Sequence, residues 1–451
     1  MRLTPPEQRL PPANSPQPSV SLGWWAAAIA AAALAVFSTG LFDSPFADEY
    51  AYITQSYYAD LFFSGRHDDP AWLHFFAFDL QPLPKYLIGM SLHAVGQPMP
   101  RTPDAARWYL DYSSFGDAKT LTAARVPSIL TGTLGCVAVF LGGVMILGRG
   151  AGALAALLLI TNPLYRLHAH RAMTDVPTEA LTSVCLALAL YASVRAWSRR
   201  AAWSSLAAFA FAGLAAGLSI LCKFNGLLAL MVIGAWSGLG LLGRGLTWKT
   251  RLTFVLGGLL TLVMAFATFL LLNPALTAHP RGHRETDQVP PDSTVSTRIR
   301  AMLRIRLDNA QHQKRSMSHN AMVTPGDKLS VLAVQGFGRF GPFGPGKSDS
   351  TVRYQLAQDW GLILWLPLVL YGAYASARLG FGQLRNGQAP TALALLIWAV
   401  VAWGVIGAYL PMAWDRYLLP IQAPNALLAS VGAVDLGSRL RCRHRGKAVA
   451  A

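Results

Sequence analysis

Residues 24–42, WWAAAIAAAALAVFSTGLF, run straight into Asp43-Ser44-Pro45-Phe46-Ala47-Asp48-Glu49-Tyr50-Ala51-Tyr52, and this junction decides how the chain is read. The first part carries no charge and, at about 1.5 Å per helical residue, covers roughly 28 Å, close to the thickness of a bilayer core. A cleaved signal peptide would have an apolar core of about 7–15 residues ending at a small-residue cleavage site, which Ser44-Pro45-Phe46-Ala47 does not supply. The stretch is therefore a first membrane span. Two adjacent carboxylates then stand at the membrane surface among aromatic rings. A carboxylate at an apolar boundary has its pKa raised by desolvation and becomes a usable general base; the plainer reading of Asp48 and Glu49 is the start of a solvated loop.

The pattern repeats along the chain. Of 451 residues, 53% are hydrophobic and 13% charged, with a mean hydropathy of +0.36, whereas a soluble domain carries about a quarter charged residues. Further apolar blocks lie near 126–147, 151–165, 174–194, 203–222, 226–242, 252–272, 360–377, 392–410 and 417–436. The fold class is an all-α polytopic membrane protein of about ten spans.

The net charge of +16 would suggest nucleic acid in a soluble protein; in a polytopic one it first reports orientation. With the N-terminus cytoplasmic, the inside segments hold sixteen basic residues, among them Arg149, Arg195, Arg251, Arg378, Arg385 and Arg439, against Glu7 and Asp435 alone. Both termini are expected inside and no nucleic-acid partner is expected. The layout is then a proline-rich disordered tail at 1–23, a membrane body at 24–436 and a basic cytoplasmic tail at 437–451. Two long segments, about 43–124 and 274–358, fall outside, where chemistry is possible.

Within the first, Leu83 to Val95 suggests an amphipathic helix on the membrane surface. The second interleaves Arg298, Arg300, Arg304 and Arg306 with Ile299, Met302, Leu303, Ile305 and Leu307. That helix either anchors to anionic lipid, the plainer reading, or holds an acidic substrate. The run Gly336–Gly346 lacks phosphate-loop spacing and reads as a mobile loop. Cys136, Cys185, Cys222 and Cys442 have no metal-ligand spacing and sit where no disulfide is expected. His168 and His170 have no convincing third ligand, so no metal site and no cofactor are expected.

Chemistry-bearing residues cluster at the outer ends of spans. Phe78-Asp79-Leu80-Gln81-Pro82-Leu83-Pro84-Lys85 brackets a proline turn with an acid and a base, by itself only a helix-start signal. His168-Ala169-His170-Arg171-Ala172-Met173-Thr174-Asp175 with Glu179 sets Arg171, Asp175 and Glu179 at i, i+4 spacing, and an ionisable residue in a span is a functional hypothesis by default. Lys223, between two spans, and Arg416, in Trp414-Asp415-Arg416-Tyr417-Leu418-Leu419-Pro420, are cations able to grip a phosphate or to snorkel to headgroups.

Together these elements resemble glycosyltransferase family 39, which includes the protein O-mannosyltransferases and, more distantly, the lipid A aminoarabinose transferases. The resemblance runs from about Trp24 to Leu276 and from Trp360 to Leu428. Phe78-Asp79-Leu80-Gln81-Pro82-Leu83-Pro84-Lys85 looks like the mannosyltransferase Phe-Asp-x-His-Pro-Pro-x-x-Lys motif, with Gln81 in place of His and Leu83 in place of the second Pro. The resemblance implies a GT-C fold, a polyprenyl-phosphate sugar donor and inverting, metal-independent transfer outside the membrane, in a bacterial inner membrane by the Ala- and Arg-rich composition. Asp48 is the expected base; Glu49 orients the loop or the acceptor; Asp79 and Lys85 lie toward the sugar or acceptor; Arg171, Lys223 and Arg416 take the phosphate; Asp175 pairs with Arg171. The sugar is a mannose-like hexose or modified pentose, and the acceptor a protein, lipid or glycan. The rival classes are a lipid or solute transporter and a non-catalytic GT-C scaffold. Two long outer segments and the outer clustering of the acids weigh against the transporter, which needs polar groups near the midplane of several spans.

Overall fold

The computed structural model describes residues 21–97, 99, 118–198, 202–243, 246–280, 287–337 and 360–450. The tail 1–20 and most of the Gly336–Gly346 run lie outside the described residues. Among those described there is no strand beyond one isolated bridge, Ala321 to Met412. The helices are α1 (Leu22–Ser38), α2 (Ala47–Ile53), α3 (Tyr57–Phe63), α4 (Phe75–Asp79), α5 (Pro82–Ala94), α6 (Ala118–Leu147), α7 (Arg149–Thr161), α8 (Pro163–Ala169), α9 (Asp175–Trp197), α10 (Ala202–Cys222), α11 (Leu227–Leu242), α12 (Trp248–Leu271), α13 (Pro274–Thr277), α14 (Val295–Ser316), α15 (Pro325–Gln335), α16 (Trp360–Arg385), α17 (Thr391–Tyr409) and α18 (Gln422–Ala450).

Each of the ten apolar blocks is helical, yet they are not ten equal spans. Seven described helices are long and apolar enough to cross a bilayer, and α7 with α8 makes an eighth if the bent pair counts as one. The protein is an integral membrane protein. The block at 151–165 is the clearest departure: it breaks by 68° between α7 and α8. The cause is local. Pro163 occupies the first helical turn, where its missing N–H costs nothing, and Asn162 caps the new helix by accepting the Tyr165 N–H at 2.9 Å. At the other end of the chain, α18 continues past residue 436 to Ala450 as one helix.

Burial separates an inner from an outer set of spans. The apolar stretch of Asp415–Cys442 is 89% buried, against 33% for Trp248–Leu271. Leu252, Leu256, Leu259, Val263 and Phe266 therefore form an exposed apolar stripe on α12, as suits a span at the rim of the bundle. The inner helices meet at small residues: α16 crosses α18 where Gly372 lies on the Leu428 backbone, a contact no side chain larger than hydrogen allows.

The segment after α1 folds onto one end of this bundle as α2 to α5. The expected surface helix is present as α5, but its Tyr86, Ile88 and Leu92 are buried, so it packs on protein rather than lying free on lipid. The basic helix α14 is also tied down at its start. Arg298 is wholly buried and donates to the carbonyls of Ser293, Ala275 and Pro291 at 3.1, 3.0 and 2.6 Å, while Arg300 and Arg304 remain exposed.

Candidate active site

Successive residues on an α-helix point about 100° apart, and α2 uses that rotation to send its two acids in different directions. Glu49 turns inward and is completely buried. Its Oε1 accepts from Arg125 Nε and from the Ala172 N–H, both at 2.8 Å, and its Oε2 accepts from Arg125 Nη2 and from the Phe46 N–H, both at 2.8 Å. Arg125 donates its remaining hydrogens to the carbonyls of Gly40, Leu41, Asp43 and Ser44. The pair thus bolts together the end of α1, the start of α2, α6 and the segment before α9. Gly40 is required here because a Cβ at that position would collide with the His170 ring.

Asp48 turns the other way and pairs with Arg416, the two side chains being 26% and 16% exposed. Arg416 sits on a 3-10 turn, Asp415–Ile421, and lies over the Trp414 ring at 4.5 Å. A second ion pair stands beside the first. Asp175, the first residue of α9, accepts from Lys223 Nζ at 2.7 Å, as suits an acid at a helix N-terminus. The Lys223 ammonium lies 5.4 Å from the centre of the Tyr417 ring and the Arg416 guanidinium 5.8 Å from it. Both cations therefore share one aromatic wall. Tyr52 closes the side with a 3.1 Å contact between its hydroxyl and Thr174 Oγ1, and burial, aided by Asp175, pushes its phenol well up, so it stays protonated. Among the described residues no group of three or more His, Cys, Asp or Glu gathers as a metal site.

The structure thus brings Asp48, Asp175, Lys223 and Arg416 together from four distant stretches of chain. The expected Arg171–Asp175 pair is replaced by Lys223–Asp175. The i, i+4 argument fails because α9 begins only at Asp175, and residues 171–174 form a bend. Arg171 instead stacks on the Phe46 ring at 4.1 Å, largely buried, with Nη1 making no hydrogen bond among the described residues. Burial pushes its guanidinium pKa down, against the pull of Asp415 and Glu49.

Asp79 and Lys85 lie elsewhere. Lys85 is turned inward: its ammonium donates to the Phe76 carbonyl at 2.6 Å and lies 4.5 Å from the centre of the Tyr58 ring, and burial pushes its pKa well down. It closes the α4–α5 turn. Asp79 reaches across to α14, accepting from Asn309 Nδ2 at 2.7 Å with Arg306 Nη1 at 3.4 Å, so it ties α4 to α14. Arg306 also lies within electrostatic reach of Tyr52 and Tyr417. Arg125 was missed by the sequence reading, although a lone arginine immediately before the apolar block at 126 was a usable signal. His168 and Asp415, 3.4 Å apart and both buried, carried no signal of their pairing, being far apart in the chain.

A family model described as dolichyl-phosphate-mannose-protein mannosyltransferase matches residues 109–271. No curated protein matches the sequence. Among solved structures, the oligosaccharyltransferase AglB of Archaeoglobus fulgidus, in complex with an inhibitory peptide and a dolichol-phosphate, superposes with a TM-score of 0.54 at 14% identity over 96% of this chain and 52% of that one. ArnT of Cupriavidus metallidurans bound to undecaprenyl phosphate gives a TM-score of 0.54 at 17% identity over 91% of this chain and 60% of that one. This chain has the GT-C fold. It spans about half the length of AglB and three-fifths of ArnT. The family-model match holds Arg125, Arg171, Asp175 and Lys223, while Asp48 precedes it and Arg416 follows it.

Proposed function

We propose that the protein transfers a sugar, a mannose-like hexose or modified pentose, from a polyprenyl-phosphate donor to a hydroxyl or phosphate on a protein, lipid or glycan acceptor. The active site faces the outside of a bacterial inner membrane, with both termini cytoplasmic. One observation carries the reading: the Asp48–Arg416 and Asp175–Lys223 pairs share the Tyr417 wall at one end of the bundle and are not fully buried. A transporter would instead need its polar groups near mid-membrane.

The chemistry follows from these charges. The acceptor oxygen attacks the anomeric carbon, the bond from that carbon to the phosphate oxygen breaks, and the electron pair leaves with the phosphate. Asp48 takes the acceptor proton, while Arg416 and Lys223 neutralise the phosphate. A donor phosphate competes with Asp48 for Arg416, and the carboxylate released in this way becomes the base. One displacement inverts the anomeric centre. Glu49 has all its oxygen directions taken by donors and acts by holding the Asp48 helix in place. Asp175 fixes the direction of Lys223, and Asp79 holds α14 across the site. The polyprenyl chain stays in the bilayer throughout, and the reaction is expected to persist in EDTA.

The test is transfer in proteoliposomes by purified wild type and Asp48→Asn, with a panel of radiolabelled polyprenyl-phosphate sugars and crude envelope as acceptor. Incorporation by wild type that disappears in the variant supports the reading. No turnover with any donor by folded wild type overturns it.

A further inference from the structure

The 3-10 turn that carries Arg416 and Tyr417 is held at both ends by the bent span α7–α8. At its far end, Asn162, the residue at the bend, donates from Nδ2 to Gln422 Oε1 at 2.9 Å, and Gln422 Nε2 donates to the Leu418 carbonyl at 3.0 Å. At its near end, His168 Nε2 on α8 lies 3.4 Å from Asp415 Oδ1, with both side chains wholly buried. That same Oδ1 accepts the backbone N–H of Arg416 at 2.7 Å. One carboxylate oxygen therefore sits between the imidazole and the residue that grips Asp48.

Neither His168 nitrogen makes an aligned hydrogen bond among the described residues, and Asp415 Oδ2 makes none. The imidazole–carboxylate contact is thus an electrostatic one of slack geometry, unlike the fully saturated Glu49–Arg125 bolt. Burying an imidazole in a membrane protein with so little hydrogen bonding is unfavourable unless the contact it makes is used. Asp415 passes the contact on through Oδ1 to the backbone N–H of Arg416, and its charge also acts on the Arg171 guanidinium.

We propose that His168 is a positioning residue, acting through Asp415 to fix the turn that aims the Arg416 guanidinium at Asp48 and the donor phosphate. The break between α7 and α8 then has a purpose, since it carries Asn162 and His168 to the two ends of that turn. The inference rests on the transfer reaction proposed above.

Full-length protein in nanodiscs, as wild type, His168→Leu and His168→Gln, decides it through two readouts. Gln sets an amide nitrogen near the place of Nε2, and Leu fills the space without a donor. In the Leu variant, hydrogen–deuterium exchange of the peptide spanning 414–421 is expected to rise about tenfold with α9 peptides unchanged, and kcat to fall about 10–100-fold at unchanged acceptor KM, as for a misplacement of about 1 Å. The Gln variant is expected to restore most of both. Unchanged exchange at 414–421 in the Leu variant overturns the proposal, and so does faster exchange with unchanged kcat, which leaves His168 a packing residue. If wild type transfers no sugar, the functional reading fails by that result, while exchange in the variants still decides whether His168 holds the turn.

Discussion

Asp48 and Glu49 are neighbours in the chain, both acidic and both paired with arginine, yet they belong to different kinds of site. Glu49 meets Arg125 in a place with no exposure, four donors and no free direction. Asp48 meets Arg416 on a wall of aromatic rings with both side chains part-exposed. The first is a fastener, because opening it would leave two buried charges unpaired; the second is exchangeable, because water or an incoming anion can replace either partner. Charge, spacing and pairing do not separate the two acids; exposure does, and on the proposed function it is the incompletely buried pair, able to accept a substitute partner, that supplies the base.

The comparison breaks most sharply on Asp48→Asn. Loss of the base should lower transfer by about 10²–10⁴-fold with an unchanged melting temperature, and full activity in this variant would put Asp48 on the same footing as Glu49. Glu49→Gln should do the reverse, costing about 3–5 kcal/mol of stability by stranding Arg125. Its melting curve should move while kcat of the protein that remains folded stays near wild type. Replacing both partners, Glu49→Met with Arg125→Leu, should recover little of that stability, because the Phe46 and Ala172 N–H groups and the Gly40, Leu41, Asp43 and Ser44 carbonyls all lose their partners.

Smaller effects sharpen the same contrast. Lys85→Met leaves the Phe76 carbonyl without its donor and should cost about 1–2 kcal/mol, with donor KM unchanged in a titration of polyprenyl-phosphate sugar; a large rise in that KM would return Lys85 to the sugar. The mildest concerns acid. Burial pushes the His170 imidazole down to about 4, with Asp43 opposing the shift, so the folded protein keeps it neutral where an unfolded chain, near 6.5, takes up a proton. Its contribution is complete above about 6.5 and declines as pH falls toward 4. Melting temperatures measured across that window should fall less steeply for His170→Gln.

Much of this was legible in the chain. The apolar blocks gave an integral membrane protein, because a bilayer permits few ways to satisfy a backbone and each leaves a long apolar signature, and the resemblance of the span-end motifs to a known family implied the GT-C fold. Asp48, Asp175, Lys223 and Arg416 were each visible as costly charges at span ends. What pattern could not supply was partner choice. The i, i+4 rule assigned Asp175 to Arg171, but that rule holds only where a helix exists, and Asp175 is the first residue of its helix. Lys85 read as a substrate contact from motif position, though its long side chain reaches back to close a turn.

The sequence by itself determined that the chain crosses a membrane many times and which few residues pay a solvation penalty for being where they are, since hydropathy and charge are properties of residues taken one at a time. Only the tertiary structure decided which of those residues face one another. Glu49 with Arg125, Asp175 with Lys223 and Asp48 with Arg416 are separated by tens to hundreds of residues, and electrostatic pairing depends on distance and burial in space, which helix packing alone sets.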